Sequence, residues 1–333
     1  MGLRRLSALL TLGVALALPA IAEDRPQLSL PLACEPHKTC FIQNYVDDDP
    51  GPGLQDFSCG GATYDGHSGV DFRVLSAAAT EPGVPVLASA DGIVKGLRDG
   101  VTDVFARENA SGDIKGHECG NGVVIDHGNG WETQYCHMKK GSVSVAKGQN
   151  IKRGQRLGDV GFSGMADFAH VHLSVRHNGK VVDPFLPDAV DGSCQKDSKS
   201  PGLWTTDAAT AFPYAKGEIL GAGFAGEPVN LDALEKDSSK IATLTATSPA
   251  LLFYGRFINL LAGDRIHFVA KGPAGDLIEN VSEPLPRNKA TYIAYAGKKR
   301  ANAPWPLGRY QGTVEILRDG VPAMTAETAL ELK

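Results

Sequence analysis

Two short motifs place histidine and aspartate at spacings that suit a metal ion. His67 and Asp71 are four residues apart in a glycine-rich stretch that argues against a helix. In an extended chain, two residues at this spacing point to the same face. His170 and His172 lie on the polar side of a segment whose alternate residues are apolar, which is the pattern of a half-buried strand. Two imidazole nitrogens and a carboxylate form the ligand set of a catalytic zinc site, so the sequence predicts a metal centre built from these segments.

Overall composition indicates a globular protein and argues against a nucleic-acid partner. The chain has 333 residues, of which 42% are hydrophobic and 21% are charged. This length allows about two domains. The formal net charge is −5, so there is no basic excess to bind a phosphate backbone. The 39 glycines and 20 prolines favour strands and turns over long helices, and we expect a mainly β protein.

The N-terminus has the pattern of a secretory signal peptide. Arg4 and Arg5 precede an almost wholly apolar run at residues 6–18, and the small residues Ala20 and Ala22 provide a cleavage site. This run is short for a membrane span, and no later stretch is long enough for one. We therefore expect cleavage after Ala22 and a periplasmic or secreted protein without a membrane span. An uncleaved anchor is the alternative.

Six cysteines remain after the predicted cleavage site. An even number in an exported chain favours three disulfides, although six cysteines allow 15 pairings. Cys34 and Cys40 could close a small loop, and Cys119 and Cys136 flank a predicted hairpin whose antiparallel strands would bring them together. Elimination then leaves Cys59 and Cys194 as the third pair. A zinc–thiolate site is less favoured, because the sequence has no C-x2-C pair.

Changes in composition divide the rest of the chain into four parts. Residues 23–58 form a proline-rich N-terminal segment, and residues 59–194 contain short strands with glycine turns. A polar linker follows at 195–206. Residues 207–333 show alternating strands with regular turns, which is typical of an immunoglobulin-like sandwich of about seven strands. We find no catalytic constellation in this last part.

Two hairpins and one long loop are predicted within residues 59–194. Asp91-Gly92 separates two apolar runs, and this dipeptide is typical of a two-residue hairpin turn. A second hairpin is expected to turn at residues 128–130. The polar residues 98–118 predict a loop inserted near the histidines.

Taken together, the motifs resemble those of the lysostaphin/LytM-type zinc metallopeptidases. The H-x-x-x-D motif at His67 and Asp71, His137 within Tyr-Cys-His-Met, and the H-x-H motif at His170 and His172 occur in the order of that family. Four further segments agree with its pattern: residues 91–94, 122–127, 161–164 and 182–184. The resemblance covers roughly residues 60–190. The sequence departs from the family at residue 136, where the family often has alanine or serine, and in the insertion at 98–118.

This resemblance implies an antiparallel β-sheet fold, a duplicated hybrid motif, and a secreted or periplasmic enzyme that cleaves the peptides of peptidoglycan. It assigns His67, Asp71 and His172 to a Zn²⁺ ion. It gives His137 and His170 catalytic roles, and the sequence leaves open which of the two is the base. Because Ser174 and Arg176 share a strand face with His172, they are candidates for orienting the ligands.

The sequence leaves two other functions open. Some relatives have lost zinc ligands and act as non-catalytic regulators or scaffolds for other wall hydrolases. The ligand set is complete in this sequence, so we favour the enzyme. A protease that acts on exported proteins is the other alternative, and the motifs do not separate it from a peptidoglycan endopeptidase.

Overall fold

The computed structural model describes residues 25–109, 115–190, 192–241 and 243–333. The predicted signal peptide lies outside these residues. Within them, no helix has the length and apolar character needed to cross a membrane. The structure is mainly β with antiparallel sheets, as predicted. The strands described before residue 195 are β1 (Cys40–Asn44), β2 (Val70–Val74), β3 (Pro85–Leu87), β4 (Gly92–Arg98), β5 (Asn121–Gly128), β6 (Trp131–Met138), β7 (Asn150–Ile151), β8 (Arg156–Asp159), β9 (His170–His177) and β10 (Lys180–Val181).

Most of these strands form one antiparallel sheet in the order β1-β2-β9-β6-β5-β4-β7, with β10 paired to β9. The β2–β9 register places Asp71 directly opposite His172, and Arg73 opposite His170. On the other side of β9, the register places Cys136 of β6 opposite His172. Side chains of directly opposite residues lie on the same face of a sheet. The centre of the sheet therefore gathers the two motifs, which are about a hundred residues apart in the chain, on one face.

Strand β9 shows why these residues form a half-buried strand. Val171, Leu173 and Val175 are at most 1% exposed and belong to the hydrophobic core. Full burial of an aliphatic side chain of this size contributes about 1.5–3 kcal/mol. The alternate residues, which include His170 and His172, point to the opposite face. The hydrophobic face thus fixes the register that presents both histidines.

One of the two predicted hairpins is confirmed and the other is wrong. Strands β5 and β6 pair across a turn in which Asn129 has a positive φ. Strand β3 does not pair with β4; it pairs with β8 in a separate two-stranded sheet. Gly92 lacks the positive φ that a type I′ turn requires. The Asp91 carboxylate accepts hydrogen bonds from Lys152 Nζ and the Arg153 backbone N–H, and the dipeptide lies in the chain between β3 of the small sheet and β4 of the large one.

The three predicted disulfides are present. They join Cys34 to Cys40, Cys59 to Cys194, and Cys119 to Cys136. The second of them closes a sequence separation of 135 residues and links the two ends of the predicted 59–194 part. The exact boundaries of the four parts remain predictions. Strand β1 from the N-terminal segment nevertheless forms an edge of the large sheet by pairing with β2.

The C-terminal half packs two smaller antiparallel sheets against each other. Its elements are α1 (Thr206–Ala211), β11 (Glu218–Ala225), α2 (Leu231–Asp237), β12 (Ala250–Leu260), β13 (Arg265–Gly272), β14 (Gly275–Val281), β15 (Lys289–Lys299), β16 (Gly308–Arg318) and β17 (Val321–Leu332). The sheet orders are β11-β12-β15 and β14-β13-β16-β17. Phe253, Phe268 and Val314 lie in the core between them. This arrangement is compatible with the predicted immunoglobulin-like sandwich, which remains a prediction.

Candidate active site

Three predicted ligand residues converge on one point at the centre of the large sheet. His67 lies just before β2, Asp71 is on β2 and His172 is on β9. The Nε2 atom of His67 is 3.1 Å from Nδ1 of His172 and 3.2 Å from Oδ2 of Asp71. Nδ1 of His172 is 2.8 Å from Oδ1 of Asp71. Because the ligand atoms of a tetrahedral zinc ion are about 3.4 Å apart, these three groups fit such an ion.

Hydrogen bonds to the far nitrogen of each ring orient the two histidines. His67 donates from Nδ1 to the Tyr45 carbonyl at 2.6 Å, which leaves Nε2 as an electron-pair donor. His172 donates from Nε2 to the Ser174 hydroxyl at 3.0 Å, and that hydroxyl donates to the Ser68 carbonyl at 2.8 Å. Nδ1 of His172 is then the free nitrogen. Supporting bonds of this kind fix the tautomer and direction of metal-binding histidines.

The site presents one anionic oxygen and two imidazole nitrogens as candidate metal ligands. Burial tends to raise the pKa of Asp71, but its neighbours His67 and His170 outweigh that effect and hold this pKa well below its usual range. Burial likewise tends to lower the pKa of His67, yet the Asp71 carboxylate raises it overall. The Asn44 side-chain amide also donates to Asp71 Oδ2 at 2.7 Å. Asp71 therefore stays ionised, as a metal ligand must be.

The two predicted catalytic histidines lie side by side next to this group. The ring centroids of His137 and His170 are 4.5 Å apart. His137 donates from Nδ1 to the Ser163 carbonyl, and His170 donates from Nδ1 to the Phe168 carbonyl, each at 2.8 Å. Each ring therefore has Nε2 free on its other side. Nε2 of His170 is 3.4 Å from Oδ1 of Asp71, which brings it beside the three ligand residues.

His137 has a strained backbone that its surroundings hold in place. Its φ is +61°, a left-handed conformation that costs a non-glycine residue about 1–2 kcal/mol. The backbone N–H of His137 donates to the Cys119 carbonyl at 2.8 Å, and its carbonyl accepts from Gly161 at 3.1 Å. Burial, followed by the nearby His170 and His172, holds the pKa of His137 well below its usual value. Strain of this kind concentrates at functional sites.

An open groove of about 450 Å³ gives access to these residues. Tyr64 and Met165, which are 49% and 57% exposed, lie at its edges. Glu118 lines the groove as well, so the predicted 98–118 loop contributes to its wall. Arg176 also lines it, but within the described residues it bonds none of the three ligands. Of the two residues predicted to orient ligands, the structure places only Ser174 in contact with one of them.

Three supporting residues have no signal in the sequence. Asn44 and Tyr45 follow each other at the end of β1 and immediately after it, far from either motif in the chain, and they bond Asp71 and His67. Phe168 stacks on His170 with ring centroids 4.3 Å apart. None of them belongs to a recognisable motif, since each acts through position in the fold. Asn44 could have been predicted only from the pairing of β1 with β2, which places it opposite Asp71.

The Cys119–Cys136 disulfide is expected to support the strand that carries His137. On the chain-entropy model, a closed loop of about 15 residues stabilises a protein by about 3 kcal/mol. We expect the Cys119→Ser/Cys136→Ser double variant to keep its metal content but to lose thermal stability and part of its turnover. Scanning calorimetry and steady-state kinetics measure both effects. The Cys34→Ser/Cys40→Ser variant is the matched control, because that bridge lies away from the groove. Equal turnover of the Cys119/Cys136 variant and the wild type would contradict the prediction.

Comparison with known proteins confirms the family resemblance. Residues 65–184 match the family model for Peptidase family M23. The chain is 35% identical over 171 residues to the DD-carboxypeptidase/endopeptidase Mpg of Neisseria meningitidis, which covers 50% of this chain and 31% of that protein. It is also 35% identical over 117 residues to the peptidoglycan DD-endopeptidase ShyA of Vibrio cholerae, covering 35% of this chain and 22% of that protein. The chain thus spans less than a third of the length of these curated relatives.

Solved structures give weaker matches. The catalytic domain of lysostaphin from Staphylococcus simulans is 22% identical, with a TM-score of 0.28, and the match covers 43% of this chain and 86% of that chain. The catalytic domain of the M23 protein EnpA from Enterococcus faecalis is 23% identical, with a TM-score of 0.31, covering 50% and 98%.

Proposed function

We propose that the protein is an exported zinc metalloendopeptidase that hydrolyses the peptide cross-links of peptidoglycan, because residues 65–184 match the family model for Peptidase family M23. The observation that carries this proposal is the convergence of His67, Asp71 and His172 on one point, with His137 and His170 beside them in an open groove. Three protein ligands that leave a position free distinguish a catalytic zinc site from a closed structural one.

His67 would hold the ion through Nε2, His172 through Nδ1 and Asp71 through a carboxylate oxygen. The hydrogen bonds from His67 to Tyr45 and from His172 to Ser174 leave those two nitrogens free for this purpose. When bound, zinc supplies a Lewis acid that polarises a peptide carbonyl and makes an attacking water more acidic. The chain's own residues then have to move protons and hold the substrate.

His170 is the better placed of the two histidines to act as general base. Its Nδ1–H is engaged by the Phe168 carbonyl, so the free Nε2 can accept a proton from the attacking water. The carboxylate of Asp71 lies 3.4 Å from this nitrogen and would stabilise the imidazolium that forms. His170 therefore combines a free electron pair with a neighbouring negative charge.

His137 fits a different role in the same groove. Its Nδ1–H is held by the Ser163 carbonyl, so in the neutral ring Nε2 is a hydrogen-bond acceptor. Donation from Nε2 to a developing oxyanion would need a second proton, and the lowered pKa of His137 opposes that. We therefore assign His137 to orienting the attacking water or the substrate N–H.

The substrate and location follow from the relatives and from the chain's own chemistry. Mpg is described as a DD-carboxypeptidase/endopeptidase, and ShyA as a peptidoglycan DD-endopeptidase. Three disulfides suit an oxidising compartment such as the periplasm or the cell exterior. The signal pattern predicted at residues 1–22 would take the chain there. We accordingly propose peptidoglycan peptides as the substrate.

Digestion of purified sacculi tests this function against the two alternatives. We expect the zinc-loaded mature protein to convert cross-linked muropeptides into uncross-linked ones, as measured by liquid chromatography and mass spectrometry. A chelator should stop the reaction, and added zinc should restore it. If an unfolded protein substrate is cleaved and the sacculi remain undigested, this result would favour a protease of exported proteins. Inactivity on both substrates at full zinc occupancy would favour a non-catalytic regulator.

A further inference from the structure

A buried arginine is the direct cross-strand neighbour of the proposed general base. The β2–β9 register places Arg73 directly opposite His170, and Arg73 is 0% exposed. Its guanidinium carbon lies 4.9 Å from the centroid of the Phe168 ring. The same ring stacks on His170 at a centroid distance of 4.3 Å, and the Phe168 carbonyl accepts the His170 Nδ1–H. Phe168 therefore contacts both the arginine and the histidine.

The C-terminal half of the chain supplies the counter-charge for Arg73. Arg73 Nη2 lies 2.8 Å from Oε2 of Glu235 on α2, and its Nη1 donates to the Gln43 side chain at 2.7 Å. The other oxygen of Glu235 lies 2.6 Å from Nη2 of Arg256 on β12, and Arg256 Nη1 donates to the Leu75 carbonyl at 2.6 Å. These contacts tie β2 of the large sheet to two elements of the C-terminal half.

All three charged residues of this cluster are removed from water. Glu235 and Arg256 are 4% and 3% exposed. Burial lowers the pKa of Arg73 to about 10, which leaves it charged at neutral pH. A buried ion cluster is often no more stabilising than apolar residues of the same volume, because the desolvation of each charge offsets the attraction. Stability alone is therefore a weak reason for a cluster of three buried charges, one of which lies opposite His170.

We propose that Arg73 is a positioning residue for His170, held in place by Glu235 and acting through the ring of Phe168. The Arg73–Glu235–Arg256 cluster fixes the guanidinium, the guanidinium fixes the Phe168 ring, and the ring and carbonyl of Phe168 fix the direction of the imidazole. Turnover then depends on α2 and β12, which lie outside the peptidase domain. This inference rests on the proposed role of His170 as general base.

Phe168 variants test the last link of this chain of contacts. Phe168→Leu removes the aromatic ring but leaves the ion cluster intact, while Phe168→Tyr keeps the ring and is the matched control. We expect Phe168→Leu to lower kcat about tenfold, since misplacement of a reacting group by about 1 Å can cost up to about 10²-fold. KM and zinc content should stay near the wild-type values, and Phe168→Tyr should retain most of the wild-type kcat.

A double-mutant cycle separates positioning from a general loss of structure. If Phe168 acts through His170, Phe168→Leu should have no further effect on kcat in a His170→Ala background. The ¹⁵N-imidazole NMR spectrum provides a second readout: the His170 Nδ1–H should be protected from exchange in the wild type and exposed in Phe168→Leu. Additive losses of kcat in the cycle, or an unchanged Nδ1–H signal, would overturn the positioning role.

Two replacements on α2 test the ion cluster itself. Glu235→Gln removes the shared counter-charge, whereas Asp232→Asn on the same helix removes an exposed carboxylate that pairs with Arg107. We expect only Glu235→Gln to reproduce the kcat loss of Phe168→Leu. If Glu235→Gln does not fold, the triple variant Arg73→Met/Glu235→Leu/Arg256→Met replaces the cluster with apolar side chains and should fold.

Wild-type kcat in a folded, zinc-loaded variant of the cluster would refute this inference and leave the proposed function intact. Wild-type kcat in His170→Ala would refute both the role of His170 and this inference. Because zinc content is measured for every variant, loss of the metal is not mistaken for loss of positioning.

Discussion

Removal of either His67 or Asp71, the two proposed ligands in the H-x-x-x-D motif, is expected to abolish tight zinc binding. Peptidase activity should be lost with the metal. In His67→Ala or Asp71→Ala, two protein ligands would remain where a catalytic zinc site uses three. Zinc contributes several kcal/mol of transition-state stabilisation, which corresponds to a rate loss of about 10³-fold or more. Elemental analysis of the purified variants and digestion of sacculi measure the two effects. Asp71→Ala should be the more severe change, because it removes the anionic ligand and leaves the Asn44 amide without an acceptor.

Asp65→Ala provides a matched control for this experiment. Asp65 is an exposed carboxylate that lines the same groove but lies apart from the three ligand atoms. Its removal should leave zinc stoichiometry unchanged. Full zinc occupancy in both His67→Ala and Asp71→Ala would show that the ligand assignment is wrong, whatever their activity.

The convergence of His67, Asp71 and His172 was predictable because short-range rules fix most of their geometry. Alternation along β9 was visible in the sequence, and burial of Val171 and Leu173 shows why the two motif histidines point away from the core. The extended segment predicted to hold both His67 and Asp71 is not a continuous strand. His67 precedes β2 and follows a turn in which Gly66 has a φ of +76°, so the two side chains converge without a shared extended segment. The four-residue spacing of His67 and Asp71 therefore predicted their proximity correctly, although the local backbone is not the extended chain that was expected.

Residues that support the site were not predictable, because their partners are remote in sequence. Arg73 and Glu235 are 162 positions apart, and no motif links them. A buried arginine on a strand has no pattern that distinguishes it from an exposed one until the strand order is known. The wrong hairpin at Asp91-Gly92 has a related cause, because β3 pairs with β8, about 70 residues later in the chain, and not with the neighbouring β4.

Two of the disulfides could be predicted from the sequence for different reasons. Cys119 and Cys136 flank a hairpin whose strands and turn were both visible in the sequence, so their proximity followed from local structure. The bridge between Cys59 and Cys194 was reached by elimination alone, since nothing local brings those two residues together. Local rules therefore explain the Cys119–Cys136 bridge but not the Cys59–Cys194 bridge.

A comparison of two histidines on one strand is expected to separate catalysis from metal binding. His170 and His172 are two residues apart on β9 and share a face, but only His172 presents a nitrogen 2.8 Å from Asp71 and 3.1 Å from His67 Nε2. We expect His172→Ala to lose both zinc and activity. His170→Ala should keep its zinc and lower kcat by about 10²-fold or more, the usual scale for loss of a general acid–base group.

Zinc analysis and steady-state kinetics on the same preparations measure both outcomes. His177→Ala is the strand control, because His177 stacks on Trp131 with ring centroids 4.3 Å apart and does not line the groove. It should resemble the wild type in both zinc content and kcat. Zinc loss in His170→Ala together with zinc retention in His172→Ala would exchange the two roles. If His170→Ala kept full zinc and full kcat, His137 would become the stronger candidate for the base, because its Nε2 is the other free imidazole nitrogen beside the ligand residues.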